Sequence, residues 1–311
     1  MTDTAIETGG LTKVYGRLRA VDELTLHVPR GSVYGFLGRN GAGKTTTMRL
    51  LLGLARPTSG TAHVFGLEAG RQQLEILERT AFVAEGKVLY DYMTPLELVR
   101  FASGFYPRWS REAVEKYARV LDIPMRQKFS KLSNGNRTKV CVLLALAQNA
   151  DLLVLDEPST GLDPVMIDDV LRVLLDEQTA EGRTVFFSSH QLAEVEQIAD
   201  WIGIIDQGRL LLEARLEDIK NDYRVVVAGG NGLPVALSAQ VVSAVKAERF
   251  TRYIITSGAE AFAAGLRQQG AASVEMFPLN LREFFLEIVR KEDTCTFGKS
   301  GAKTGYASSL S

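Results

Sequence analysis

Two rhythms of apolar residues run along this chain, and they predict different elements. Nearly unbroken apolar runs of strand length lie at 33–37, 152–155, 184–187 and 202–205, the pattern of central strands covered on both faces. Apolar segments at 24–28, 61–65 and 81–84 predict further strands. From residue 11 to about 222 the order strand, loop, helix repeats, which predicts an α/β fold on a mostly parallel sheet. Residues 86–137 differ. Pro95, Pro107 and Pro124 punctuate them, and Ala113, Val114, Tyr117, Ala118 and Leu121 recur at helical spacing, so a helical insert is the expectation.

The pattern shifts again near Asp222. Segments 224–228, 252–256 and 274–277 predict strands and 259–269 a helix, while Leu281, Phe284, Phe285 and Ile288 line one face of a closing helix. That face serves either the core of a small α/β domain, residues 223–290, or a dimer contact. Residues 291–311 are rich in Gly, Ser, Lys and Thr and predict a disordered tail. No internal repeat is evident.

A length of 311 residues suits one large and one small domain, and 46% hydrophobic residues supply ample core. The net charge of −1 argues against a constitutive nucleic-acid binder. Cys141 and Cys295 form no disulfide framework, which points to a reducing cytoplasm. Cys141 sits in an apolar helical run as a small core residue; Cys295 falls in the tail and carries no assignment. Residues 1–10 lack the basic-then-apolar order of a signal peptide. No run reaches the ~18 apolar residues of a spanning helix, so the chain is expected to be soluble by itself, and any membrane role requires a separate partner.

The chemistry is concentrated in a few places. Gly38-Arg39-Asn40-Gly41-Ala42-Gly43-Lys44-Thr45 matches G-x-x-x-x-G-K-[ST] and stands between the strand 33–37 and a helical run at 46–52, the setting in which such a loop cradles phosphates. Its glycines let backbone N–H groups turn inward, Lys44 supplies a point charge, and Thr45 offers a hydroxyl to Mg²⁺. Asp156-Glu157 closes a buried strand. An acidic pair there is costly unless a cation meets it, so Asp156 is expected to orient Mg²⁺ and Glu157 to act as general base on water. His190 ends the 185–189 run, where strand C-termini converge on ligands. Ser133 precedes the helical run 140–146 as an N-cap, a geometry that also makes an anion site.

Taken in order, the Lys-Thr loop, Leu132-Ser133-Asn134-Gly135-Asn136, Val154-Leu155-Asp156-Glu157-Pro158, Ser159-Thr160-Gly161-Leu162-Asp163 and Ser189-His190 resemble an ABC transporter ATPase over residues 11–222. The resemblance implies a P-loop NTPase core, residues 1–222, with a helical subdomain at about 86–137. It implies two such chains packed head to tail around two ATP molecules. Tyr15 would stack on adenine. Gly38 to Thr45, with Thr46, would bind phosphates and Mg²⁺. Ser133 and Gly135 would reach the γ-phosphate on the opposite subunit. Asp156 would hold Mg²⁺, Glu157 would be the base, Asp163 would lie in the cross-dimer loop, and His190 would read the γ-phosphate. Two positions depart from the family pattern. Asn134 and Asn136 replace the Gly and Gln of LSGGQ, and Glu85 stands in the lid where Gln is usual. Glu85 remains an oxygen ligand for Mg²⁺ but adds charge beside the γ-phosphate.

Within the family the layout is similar to ATPase subunits of bacterial exporters of drugs, antibiotics or peptides. This implies a cytoplasmic protein held at the inner face of the membrane by a permease that docks near Tyr90, Tyr92 and Met93. One alternative is a soluble ABC ATPase acting on nucleic acid, ribosomes or cofactor assembly, with Arg126, Lys128, Lys131, Arg137 and Lys139 as its basic run. A low-turnover regulatory module is another.

Overall fold

The computed structural model describes residues 4–86, 89–230 and 241–286, and the chain divides into two units, Met1–Asn221 and Asp222–Ser311. The first begins with a hairpin of two twelve-residue strands, β1 (Thr4–Tyr15) and β2 (Leu18–Pro29). Leu24, Leu26 and Val28 alternate inward along β2, so the expected strand 24–28 is the buried half of a longer one. β1 escapes the sequence pattern because its inward face is partly polar. Thr8 is buried, its hydroxyl donating to Leu24 O at 2.9 Å and accepting from Leu26 N at 2.9 Å. Register shifts also interrupt the alternation.

Next come β3 (Val33–Leu37), α1 (Lys44–Leu51), β4 (Ser59–Val64), β5 (Leu67–Glu68), α2 (Gln73–Arg79) and β6 (Thr80–Val83). β1, β2, β4 and β5 form one antiparallel sheet, in the order β2-β1-β4-β5. After β6 the chain is helical: α3 (Pro95–Ala102), α4 (Arg111–Val120), a 3-10 turn at Phe129–Lys131 and α5 (Asn134–Ala147). Thr94 and Glu97 close a capping box on α3, and Ser110 caps α4.

The unit is completed by β7 (Leu152–Leu155), α6 (Pro164–Glu181), β8 (Thr184–Ser189), α7 (Leu192–Ile198), β9 (Trp201–Asp206), β10 (Arg209–Arg215) and α8 (Leu216–Asp222). The second sheet runs β10-β9-β3-β8-β7-β6. Its strands are parallel except β10, which returns antiparallel along β9. Every residue of β3, β7 and β8 is buried. Phe186 at the centre lies 5.5 Å from the Tyr34 ring and 5.4 Å from Phe36. Cys141, assigned to the core, is half-buried on α5.

The second unit holds β11 (Arg224–Gly229), β12 (Val241–Lys246), β13 (Phe250–Ile255), α9 (Ala259–Gln268) and β14 (Ser273–Pro278). Its antiparallel sheet has the order β12-β13-β11-β14. β12 is the one of these strands that the sequence pattern did not predict. Tyr253, Ala263 and Leu266 lie in its core. Leu281 and Phe284 are buried, and the Phe284 ring meets Tyr223 edge-on at 4.7 Å. Ile288, Cys295 and the tail 291–311 lie outside the described residues. Among the described residues no helix is long and apolar enough to cross a membrane.

α7 approaches β3 closely at Gly35, where a Cβ would stand 2.6 Å from Val195 Cγ1 and 3.4 Å from Ala199 Cβ. Gly35→Ala is therefore expected to lower unfolding stability by about 1–3 kcal/mol, measured by urea denaturation. An unchanged midpoint would show that the helix yields without cost.

Candidate functional site

The site forms where the C-terminal ends of β3, β7 and β8 meet. β3 ends at Leu37, the chain turns through 38–43, and α1 begins at Lys44. Glycine is required twice in that turn. A Cβ on Gly38 would lie 2.6 Å from Ile205 O, and Gly43 has φ 110° with a Cβ position 2.4 Å from Ala20 O. Gly43 provides no side-chain cap, so the first N–H groups of α1 are open to an anion. Backbone bonds tie the loop to its surroundings: Gly208 N donates to Ala42 O at 2.9 Å, Asp22 N donates to Gly208 O at 2.9 Å, and Gly38 N donates to Ser189 O at 3.3 Å.

Lys44 is buried at 6% exposure, and Nζ donates to Gly38 O at 2.7 Å and Arg39 O at 3.3 Å. Nζ also lies 3.0 Å from Glu157 Oε1. That contact lacks the directed geometry of a hydrogen bond and leaves Oε1 without another partner. The other oxygen, Oε2, sits 2.7 Å from His190 Nδ1, while His190 itself is 44% exposed. Thr45 Oγ1 donates to Asp156 Oδ2 at 2.7 Å. Ser188 Oγ donates to Asp156 Oδ1 at 2.7 Å and accepts from Glu157 N at 2.9 Å. Glu157 adopts a left-handed backbone, φ 50°, which breaks the strand alternation and aims the two carboxylates differently.

Lys44, Thr45, Asp156, Glu157 and His190 are thus brought together. Ser188 joins them, a residue sequence reasoning passed over. Its one trace in the sequence is a polar position at the end of an apolar strand run; its full burial shows only in the fold. Thr45 Oγ1 and Asp156 Oδ2 place two hard oxygen donors side by side, which suits Mg²⁺. Glu85 is exposed just past β6, with no hydrogen bond or ion pair among the described residues, and it forms no metal-spaced acidic group with Asp156 and Glu157. Arg39, Asn40 and Gly41 are exposed on the loop, Ala42 is buried and Thr46 is half-buried.

The remaining predicted residues lie elsewhere in the chain. Tyr15 ends β1 with 47% exposure, and Lys13 Nζ stands 4.8 Å from its ring centroid. Ser133 caps α5, its hydroxyl accepting from Asn136 N at 3.2 Å. Gly135 packs on α6, where a Cβ would meet Met166 Sδ at 2.7 Å. Asp163 Oδ1 accepts from Met166 N at 2.9 Å at the start of α6.

A family profile described as ABC transporter matches residues 21–160, and one described as AAA domain, putative AbiEii toxin, type IV TA system, matches residues 126–196. The chain is 38% identical over 223 residues to the bacitracin transport ATP-binding protein BcrA of Bacillus licheniformis, covering 71% of this chain and 73% of that protein. It is 39% identical over 226 residues to the daunorubicin/doxorubicin resistance ATP-binding protein DrrA of Streptomyces peucetius, covering 70% and 67%. Among solved structures, an ATP-binding subunit of an ABC transporter aligns with TM-score 0.63 and 29% identity over 70% of this chain and 92% of that one. A dimeric ATP-binding cassette in a post-hydrolysis state with ADP and Pi aligns with TM-score 0.62 and 21% identity over 68% and 98%.

Ser188→Ala removes a donor to Asp156 and an acceptor from Glu157 inside a buried site. The expected cost is about 1–3 kcal/mol, read as a lower thermal or urea midpoint. Parental stability would mean that water replaces the hydroxyl there.

Proposed function

The chain belongs to the ATP-binding proteins of ABC transporters, binding and hydrolysing ATP on their cassette fold, and from this premise we propose that it powers an exporter of an antibiotic, drug or peptide. The observation that carries the exporter reading is the 38% and 39% identity to proteins of bacitracin transport and daunorubicin/doxorubicin resistance across about 70% of this chain. The work is done on a separate membrane permease, which would hold the chain at the inner face of the membrane.

In this mechanism the N–H groups of residues 38–45, with Thr46, take the phosphates, and Tyr15 stacks on adenine. Lys44 exchanges Glu157 for the terminal phosphates, a swap of one anionic partner for another. Glu157 is then released to accept a proton from the attacking water, oriented by His190. Thr45 and Asp156 would hold Mg²⁺, and Glu85 would add a further oxygen ligand. Bound there, the ion would supply charge neutralisation on the phosphates. A second copy of the chain contributes Ser133 and Gly135 to each site, and Asp163 lies at that contact. ATP thereby favours the closed pair, and hydrolysis removes the link.

The helical insert supports permease docking with a cluster of exposed aromatics near Met93. Tyr90 is 5.8 Å from Tyr92 and 6.5 Å from Phe101, which is 5.1 Å from Phe105. All four are more than half exposed, as expected of an interaction surface. The nucleic-acid alternative is not favoured. In the basic run, Arg137 pairs with Asp91 at 2.8 Å and Lys139 approaches Asp169 at 3.7 Å.

Glu157→Gln should bind ATP at least as tightly, since Lys44 loses a competing anion, while turnover falls on the order of 10²–10⁴-fold. Nucleotide binding and phosphate release measured on the same preparation check both halves, and parental turnover would remove Glu157 as the base. Glu85 makes a second demand. A carboxylate near the γ-phosphate costs on the order of a few kcal/mol unless Mg²⁺ intervenes. Half-maximal ATPase should therefore need more Mg²⁺ in the parent than in Glu85→Gln, whose basal rate is equal or higher. Coincident Mg²⁺ titrations would take Glu85 out of the closed site.

A further inference from the structure

Glu194 is a buried carboxylate to which the mechanism above gives no duty. It is 3% exposed and lies in the first turn of α7, on the inward side that it shares with Val195 and Ile198. An apolar side chain would suit that position, because a carboxylate taken out of water is unfavourable unless several donors or a cation meet it. Glu194 has a single donor: Oε2 accepts from Ser189 Oγ at 2.6 Å, and Oε1 has no hydrogen-bond partner among the described residues. The carboxylate is thus committed to one contact. Its seat is fixed by the next residue, Val195, which packs on β3 where a Cβ at Gly35 would lie 2.6 Å from Cγ1.

Ser189 is where that contact takes effect. It is fully buried, and its one hydroxyl proton goes to Glu194, since the other acceptor in reach, Gln191 O, is more distant at 3.4 Å. With the proton so directed, Oγ accepts from Gln191 N at 2.9 Å. A hydroxyl bonded to the main chain two residues on closes a tight turn, and the residue enclosed by this one is His190. The Ser189 carbonyl accepts from Gly38 N at 3.3 Å, which ties the same turn to the phosphate loop. Little else orients the His190 ring. It is 44% exposed, and its one hydrogen bond among the described residues is the contact with Glu157 Oε2 at 2.7 Å. A ring so open to solvent is aimed chiefly by its backbone. We infer that Glu194 is a positioning residue: acting through Ser189, its carboxylate sets the turn 189–191 and so keeps the His190 ring against Glu157. Only the effect of this on turnover rests on the role proposed above for His190.

The test compares the full chain with Glu194→Ala, Ser189→Ala and Glu194→Gln, each with and without Glu157→Gln. The ring-nitrogen resonances of His190, one of three histidines in the chain, report its contact with Glu157, so Glu157→Gln should displace them in the parent. That displacement is expected to vanish in Glu194→Ala and in Ser189→Ala. It should persist in Glu194→Gln, whose amide oxygen still accepts from Ser189 Oγ. Ser189→Ala deletes a single oxygen and carries the test by itself if Glu194→Ala does not fold. Turnover is read on the same variants: Glu194→Ala should lower kcat about tenfold or more with KM for ATP unchanged, and should cost nothing further in a chain already carrying His190→Ala. A lost displacement with turnover intact, and His190→Ala equally silent, upholds the positioning and removes His190 from the chemistry. A displacement that survives in both alanine variants overturns the inference, as does a turnover loss that adds in full to that of His190→Ala.

Discussion

Two adjacent carboxylates at the end of a fully buried strand set the terms for everything around the nucleotide. Asp156 and Glu157 are 1% and 4% exposed, and an ion buried this deeply costs several kcal/mol unless neighbours answer it. The answers come from separate elements: Thr45 and Lys44 from the start of α1, Ser188 from β8, and His190 just beyond it. Phosphate loop, β7 and β8 are therefore held in register by polar contacts, not only by the sheet ladder. Lys44, Thr45 and His190, which satisfy the carboxylates here, are among the groups the proposed mechanism assigns to the triphosphate and its metal. The site is thus pre-organised by its own acid pair.

Much of this was legible before the fold was known, and the boundary of legibility has physical causes. The strands at Val33–Leu37 and Leu152–Leu155 are apolar on both faces, so their signal is unbroken and their ends coincide with the structure. β1 was missed because Thr8 satisfies itself through backbone partners and so stands in an apolar position. Lys44 and Thr45 were readable because their loop needs glycine at fixed spacing, and Asp156 and Glu157 because an acidic pair closes an unbroken apolar run. Ser188 was not, because a serine carries meaning only when its burial is known. The residues proposed for a cross-subunit site, Ser133, Gly135 and Asp163, act as helix caps or packing positions within one chain. A single chain contains no geometry that would separate those local duties from a shared one.

The helical insert illustrates how one segment can serve two constraints. Its inner side is fixed by ordinary means: Leu98, Val99 and Tyr117 are buried, and Thr94 and Ser110 cap its helices. Its outer side leaves Tyr90, Tyr92, Phe101 and Phe105 in solvent. A cluster of exposed aromatics of this kind is what the proposed permease contact would cover.

The close approach of Gly43 and Gly208 to the Ala20 carbonyl, with the bonds from Gly208 to Ala42 and from Asp22 to Gly208, ties the two sheets together through main chain. Tyr15 belongs to the antiparallel sheet and the phosphate loop follows a strand of the other, so a nucleotide bound as proposed would be measured by the interval between two sheets. That interval is gauged here by main chain against main chain. A side-chain substitution on either sheet leaves that main-chain contact in place, whereas a Cβ at Gly43 or Gly208 would meet the Ala20 carbonyl at 2.4 or 3.0 Å.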